Sequence, residues 1–120
     1  WGADGRSLFV RGARTQAASM ELFLESGRRL LERNHLSPSD IDWFLPAQTH
    51  VQAVEAVSDG LGIPREKLIW HGDVTGYSAS ASIACTLAEQ LHARVIEKGD
   101  LVLSLAVGAG MNSGGALYYC

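Results

Sequence analysis

Apolar residues recur along this chain with two different periods. Between Arg14 and Asn34, Met20, Phe23, Leu24, Leu30 and Leu31 are spaced by three, four and seven, which predicts a helix with one buried face. Thr15 is its candidate N-cap, and Gly27 lies within it. "SPSD", Ser37 to Asp40, reads as a turn or a short helical start. Ile41 to Leu45 is the first predicted strand, closed by Pro46, which has no N–H to give to a ladder. His50 to Leu61 forms a second predicted helix, with Val51, Val54, Val57 and Leu61 on one face and Gly62 at the C-cap. Lys67 to Trp70 is a short second strand. After the Gly- and Ser-rich loop "HGDVTGYSASAS", Ile83, Leu87, Leu91 and Val95 recur at helical spacing and predict a third helix, Ser80 to Ile96. Leu101 to Val107 is almost wholly apolar, as in a strand covered on both faces. "GAGMNSGG" then connects it to a closing strand, Ala116 to Tyr119.

The predicted order is α-β-α-β-α-β-β. Strands alternating with helices imply an α/β fold: a mostly parallel sheet flanked by helices, with right-handed crossovers. The short Gly-rich link between the last two strands implies a C-terminal antiparallel hairpin. Ligands of such sheets bind outside the carboxyl ends of the strands. Three polar loops belong there: Ala47–His50, His71–Ser82 and Gly108–Gly115.

Length and charge narrow the classes. The 120 residues suit a single domain, 1–120, and a composition of 47% hydrophobic and 19% charged residues is enough to bury a core. A net charge of −3 gives no electrostatic basis for a nucleic-acid partner. The longest apolar run is strand-sized, well short of the roughly 20 residues of a membrane helix. Two cysteines make no disulfide framework, so a cytoplasmic location is expected. The chain opens on Trp1 and its first methionine is Met20, inside a helix, which sets the expectation that it is a piece of a longer protein.

Candidate chemistry is sparse. His35 and His92 are expected at the surface. His50 stands at a strand end, where starting a helix and serving a site are equally open readings. His71 follows the second strand, either as a solvated loop residue or as part of a site. No histidine or cysteine pair has ligand spacing, so no metal is expected. Cys85, inside the third helix, is expected to be buried and structural, and Cys120 incidental. The chain therefore offers no nucleophile of its own. "GAGMNSGG" is no dinucleotide fingerprint, because a strand rather than a helix follows it. It is either a tight hairpin alone or backbone that presents an N–H to a developing oxyanion.

Three stretches in order, "SPSDIDWFLPAQTHVQAVEAVSDGLGIPREKL", "GDVTGYSASASIACTLAEQL" and "EKGDLVLSLAVGAGMNSGGALYY", closely resemble the carboxy-terminal half of beta-ketoacyl-acyl-carrier-protein synthase III. The resemblance runs from about Gly5, in "DGRSLF", to Tyr119. It implies one half of a thiolase-like fold built from two similar α/β halves. The amino-terminal half, which carries the family's catalytic cysteine, is missing from this chain. The implied activity is acyl transfer from thioesters of coenzyme A or acyl carrier protein, in fatty-acid or polyketide-type biosynthesis. No covalently bound cofactor is implied, the CoA or phosphopantetheine thioester being substrate. The complete protein is expected to be a homodimer or heterodimer.

The resemblance also carries residue roles. The family's His-Gln-Ala-Asn run falls on Ala47, Gln48, Thr49 and His50, so Ala47 takes the catalytic His position and His50 the Asn position. The family's Gly-Asn-Thr-Ser loop falls on Gly76, Tyr77, Ser78 and Ala79, so Tyr77 stands where the second donor would be. The backbone N–H of Ala109, between Gly108 and Gly110, matches the family's oxyanion donor. The implied catalytic positions are thus Ala47, His50, Tyr77 and Ala109, with substrate binding at Gln48, Thr49, Gly76, Gly108 and Gly110. Gln48, His50, Tyr77 and the backbone around Ala109 are expected at one edge of the sheet. Losing both the His and the Asn argues against ordinary decarboxylative condensation. An acyltransferase with altered chemistry, using His50 as a displaced base and Tyr77 as a donor, is one reading. A non-catalytic thiolase-fold partner subunit is another, and an α/β module binding a small acidic ligand through His50, His71 and the glycine turn is a third. A cysteine at the start of a buried helix upstream separates the first from the second.

Overall fold

The computed structural model describes residues 12–120, with side chains from Ala17 onward; "DGRSLF" lies outside them. Helix α1 (Gly12–Arg33) starts before Thr15, which therefore sits within the helix and not at its N-cap. Phe23, Gly27 and Leu31 form its buried stripe, flanked by Leu24 and Leu30. A single 3-10 turn at Pro38–Asp40 follows, closed by a reciprocal capping box between Ser37 and Asp40. The Ser37 hydroxyl and backbone N–H hold the Asp40 carboxyl below its ordinary range.

Strand β1 (Trp43–Pro46) is shorter than predicted at its start. Ile41 is spent in ending the 3-10 turn, its N–H reaching the carbonyl of Pro38. Helix α2 (Val51–Leu61) packs against α1 and ends at Gly62, in the left-handed region at φ 75°, as predicted. A four-residue helix α3 (Gly72–Thr75) and a 3-10 turn at Ala79–Ala81 lead into helix α4 (Ser82–His92). Strands β2 (Leu101–Gly108) and β3 (Asn112–Tyr119) form an antiparallel hairpin.

The sheet has the order β1-β2-β3, with β1 parallel to β2. β2 alternates between two cores. Leu101, Leu103 and Leu105 join Phe23, Leu31, Val57 and Leu61 on the face covered by α1 and α2. Val102 joins Leu45, Ile69 and Ile96 on the other face, against Ile83 and Leu87 of α4. Phe44, Leu45, Val102, Leu103 and Leu105 are completely buried, which explains why the predicted strands carry no polar alternation. The β1 and β2 starts are locked by polar contacts. Asp42 Oδ2 accepts from Leu101 N at 2.8 Å, and Trp43 Nε1 donates to Asp100 Oδ2 at 2.8 Å.

Four further expectations are corrected. Lys67–Trp70 is not a strand: only Leu68 bridges Phe44, and the Ile69 N–H reaches the Phe44 carbonyl at 2.9 Å. The 3-10 turn at Arg65–Lys67 takes up the start of the segment. The third helix covers Ser82–His92 and not Ser80–Ile96. Arg94 enters the left-handed region at φ 56°, turning Ile96 back into the core and leaving Leu91 and Val95 exposed. Cys85 is exposed, not buried, because α4 turns Ser82 and Thr86 inward instead. Finally, "NSGG" belongs to β3 and not to the connection, which shrinks to residues 109–111.

Gly115 shows why the strand tolerates glycine. A Cβ there would lie 2.5 Å from Leu105 Cδ2, 2.6 Å from Leu30 Cδ1 and 2.8 Å from the Ser104 carbonyl oxygen. The leucine ends can shift, but the carbonyl is fixed by the ladder. Gly115→Ala in the full-length protein is expected to lower stability by about 1–3 kcal/mol. Gly114→Ala, which meets nothing within 4 Å, is expected to be near neutral by comparison. Urea unfolding of the two variants checks the contrast, and equal stabilities would contradict this packing.

Candidate functional site

The carboxyl ends of β1 and β2 open onto a cleft of about 580 Å³. Its lining includes Ala47, Tyr77, Ser80, Gly108, Asn112 and Ser113. Each comes from a segment that the sheet delivers to one edge. Ala47 follows Pro46 at the end of β1 and is buried, its N–H bonded to the Leu105 carbonyl at 2.8 Å. Gly108 ends β2, and Asn112 pairs with it at the start of β3. Tyr77 stands on the loop between α3 and α4, 56% exposed. Ala79, also at the cleft, holds φ 50°, a region that costs a non-glycine residue about 1–2 kcal/mol.

Ala47, Tyr77 and Gly108 are thus brought together, and the other candidates stand apart from the lining. Gln48 is buried behind the cleft, with its carboxamide committed to backbone. Nε2 donates to the carbonyls of Pro46 at 2.8 Å and Ile69 at 3.1 Å, while Oε1 accepts from His71 N at 2.6 Å. Its own N–H lies 3.4 Å from Ser82 Oγ. Gln48 therefore positions the loop from His71 onward instead of offering polar atoms to a ligand. It also takes the backbone groups that a longer second strand would have paired.

His50 is exposed and is the N-cap of α2, its carbonyl accepting from Ala53 and Val54 at 3.1 Å. Its backbone starts the helix, and the residue does not line the cleft. Thr49 is exposed beside it, its N–H folded back to the Ala47 carbonyl at 2.8 Å. Gly76 lies outside the lining and precedes Tyr77 at φ 66°. Ala109 and Gly110 form the exposed tip of the hairpin beyond Gly108. His71 is not a free loop residue: its Nε2 lies 2.8 Å from Glu89 Oε2 on α4, tying the loop to that helix. His35 and His92 are exposed, as expected.

Asn112 was not among the sequence candidates, because "GAGMNSGG" reads as turn. No strand alternation runs through "NSGGALYY", so the hydropathy of "NSGG" does not mark it as strand. A second, largely apolar groove lies on the same sheet, lined by Ile83, Ser104, Ala106, Ala116 and Tyr118. Burial pushes the Tyr118 phenol above its ordinary range, opposed by its 2.9 Å hydrogen bond with Ser104 Oγ. Among the described residues no group of three His, Cys, Asp or Glu comes together to hold a metal ion, and no helix is long and apolar enough to cross a membrane.

Known proteins give this geometry a context. Residues 31–120 match the family described as "3-Oxoacyl-acyl-carrier-protein (ACP) synthase III C terminal". A beta-ketoacyl-acyl-carrier-protein synthase III of Coxiella burnetii is 39% identical over 88 residues, 73% of this chain and 28% of the relative. A 3-oxopimeloyl-acyl-carrier-protein synthase of Rhodothermus marinus is 36% identical over 114 residues, 95% of this chain and 31% of the relative. The crystal structure of 3-oxoacyl-acyl-carrier-protein synthase III from Aquifex aeolicus superposes with a TM-score of 0.91 at 25% identity, over 99% of this chain and 39% of that one. The architecture is that of a thiolase-like half, and the chain spans only 28–39% of the length of these proteins.

Gln48 gives this site its first test. Gln48→Leu keeps the volume but leaves the Ile69 carbonyl and the His71 N–H without their bonds. Each unpaired group costs roughly 1–3 kcal/mol. The variant is expected to lose at least about 2 kcal/mol of stability. Amide hydrogen exchange at His71 and through residues 72–81 is expected to speed up. Unchanged stability with unchanged exchange at His71 would contradict the positioning role.

Proposed function

Because this chain belongs to the 3-oxoacyl-acyl-carrier-protein synthase III C-terminal family, we propose that it is the carboxy-terminal domain of an acyltransferase that uses acyl thioesters of coenzyme A or acyl carrier protein without efficient malonyl decarboxylation. The observation that carries this is Ala47, buried at the end of β1 and open to the cleft where the family resemblance puts a histidine. A methyl group neither donates a hydrogen bond nor takes a proton. Tyr77, at the position of the family asparagine, keeps a phenolic O–H at the same cleft but no carboxamide.

Decarboxylation of a malonyl thioester breaks the bond to the carboxylate and leaves its electron pair as an enolate, with charge on the thioester oxygen. Donors aimed at that oxygen lower the barrier, and losing one typically costs about 10²–10³ in rate. Acyl transfer from thioester sulfur to a nucleophile needs stabilisation of a tetrahedral oxyanion but no enolate. The family resemblance implies a backbone N–H donor at Ala109, which follows the lining residue Gly108 at the hairpin tip, and a backbone donor survives a change of side chain. His50 takes no part in this proposal, since its residue does not line the cleft. The nucleophile is a cysteine supplied by the amino-terminal half, as the family resemblance implies.

Release of labelled carbon dioxide from malonyl carrier protein by the full-length protein tests the reading. The unmodified protein is expected to release it at least about 100-fold more slowly than a double variant carrying Ala47→His and Tyr77→Asn. Acyl transfer from acyl-CoA to the protein is expected to persist in the unmodified form. Rapid release from the unmodified protein would overturn the proposal. Absence of any acylation, with an inert residue at the nucleophile position, would favour a non-catalytic partner subunit.

A further inference from the structure

The cleft contains one carboxamide that the family resemblance does not assign. Asn112 opens β3, paired with Gly108 at the last rung of the hairpin. It lines the same cleft as Ala47 and Tyr77. Its amide lies across the two glycines of the tip: a Cβ at Gly108 would come 2.9 Å from Asn112 Oδ1, and one at Gly110 3.6 Å from Nδ2. The absence of a side chain at Gly108 is therefore what leaves the carboxamide its place.

Strand alternation fixes which way Asn112 is presented. Successive side chains of a strand point to opposite faces, and a slip of one residue exchanges them. On β3, Gly115 approaches Leu30 of α1, and Leu117 packs into the core beneath α1 and α2. Ser113, two residues before Gly115, is on that same face, and its hydroxyl bonds Ser26 Oγ of α1 at 2.6 Å. Asn112 is consequently placed on the opposite face, with Gly114, Ala116 and Tyr118, on the side of α4. The Ser26–Ser113 bond ties the start of β3 to α1, at the end of the hairpin that carries the site.

Resting on the thioester reading of the cleft, we propose that Asn112 supplies the carboxamide N–H that recognises the thioester carbonyl oxygen, in place of the donors lost at Ala47 and Tyr77, with Ser26 as its positioning residue. Asn112 donates from Nδ2, the thioester oxygen accepts, and no proton is transferred.

The experiment compares binding of acyl-CoA thioesters with their thioether counterparts, which lack the carbonyl oxygen. Acetyl-, octanoyl- and benzoyl-CoA are paired with ethyl-, octyl- and benzyl-CoA, in calorimetric titrations of the full-length protein with its amino-terminal nucleophilic cysteine replaced by alanine, so that thioesters bind without acylating it. At least one thioester is expected to bind about tenfold more tightly than its thioether, equivalent to about 1.4 kcal/mol. Asn112→Ala and the near-isosteric Asn112→Asp are both expected to bring that ratio close to one, with unchanged melting temperature and thioether affinity. Ser26→Ala is expected to give an intermediate ratio. A full preference surviving in both Asn112 variants overturns the assignment while leaving the thioester reading in place. Failure of every thioester and thioether to bind overturns that reading and the assignment with it.

Discussion

One buried carboxamide holds the working edge of this domain together. Gln48 lies just past the end of β1, where the ladder with β2 has run out and backbone groups need other partners. Buried polar backbone left unpaired is costly, so the chain must satisfy it locally or lose the close packing of this edge. Gln48 does so from one side chain, with two donated bonds and one accepted bond to Pro46, Ile69 and His71. The third contact is the consequential one. It fixes the start of the loop that goes on to deliver Tyr77 and Ser80 to the cleft, and the His71–Glu89 contact ties the same loop to α4.

The other wall of the cleft depends on the hairpin. β2 runs through both cores and is immobilised by burial on each face. β3 takes its register from β2 and from the small residues that let it lie close to α1. Ala47 sits between these two rigid arrangements, held by a backbone bond to Leu105.

Much of this was legible in the residues, and the exceptions have physical causes. The apolar runs of β1 and β2 and the faces of α1 and α2 announced themselves because burial on those surfaces is nearly complete. The short segment at Leu68 and Ile69 looked like a strand because its residues are apolar, yet Gln48 competes for the same backbone groups. α4 was overextended because Leu91 and Val95 continue the helical spacing, although the backbone reverses at Arg94 to bury Ile96. Cys85 was expected inside because cysteines usually are, but the inward positions of α4 are Ser82 and Thr86. At the site, the strand order placed the loops carrying Ala47, Tyr77 and Gly108 at one edge, and the roles of the individual residues came from the family resemblance. His50, adjacent in sequence, stands at the N-cap of α2 with its backbone and does not line the cleft. Asn112 was hidden by its glycine neighbours, which read as turn although Gly114 and Gly115 lie within β3.

The central claim is that the cleft between Ala47, Tyr77 and Gly108 receives the thioester carbonyl. A crystal structure of the full-length protein with a non-hydrolysable ketone analogue of an acyl-CoA tests it most directly. The expected result is the analogue's carbonyl oxygen inside that cleft, with the acyl chain running toward the amino-terminal half. A ligand bound elsewhere, with the cleft filled by the protein's own side chains, would contradict it.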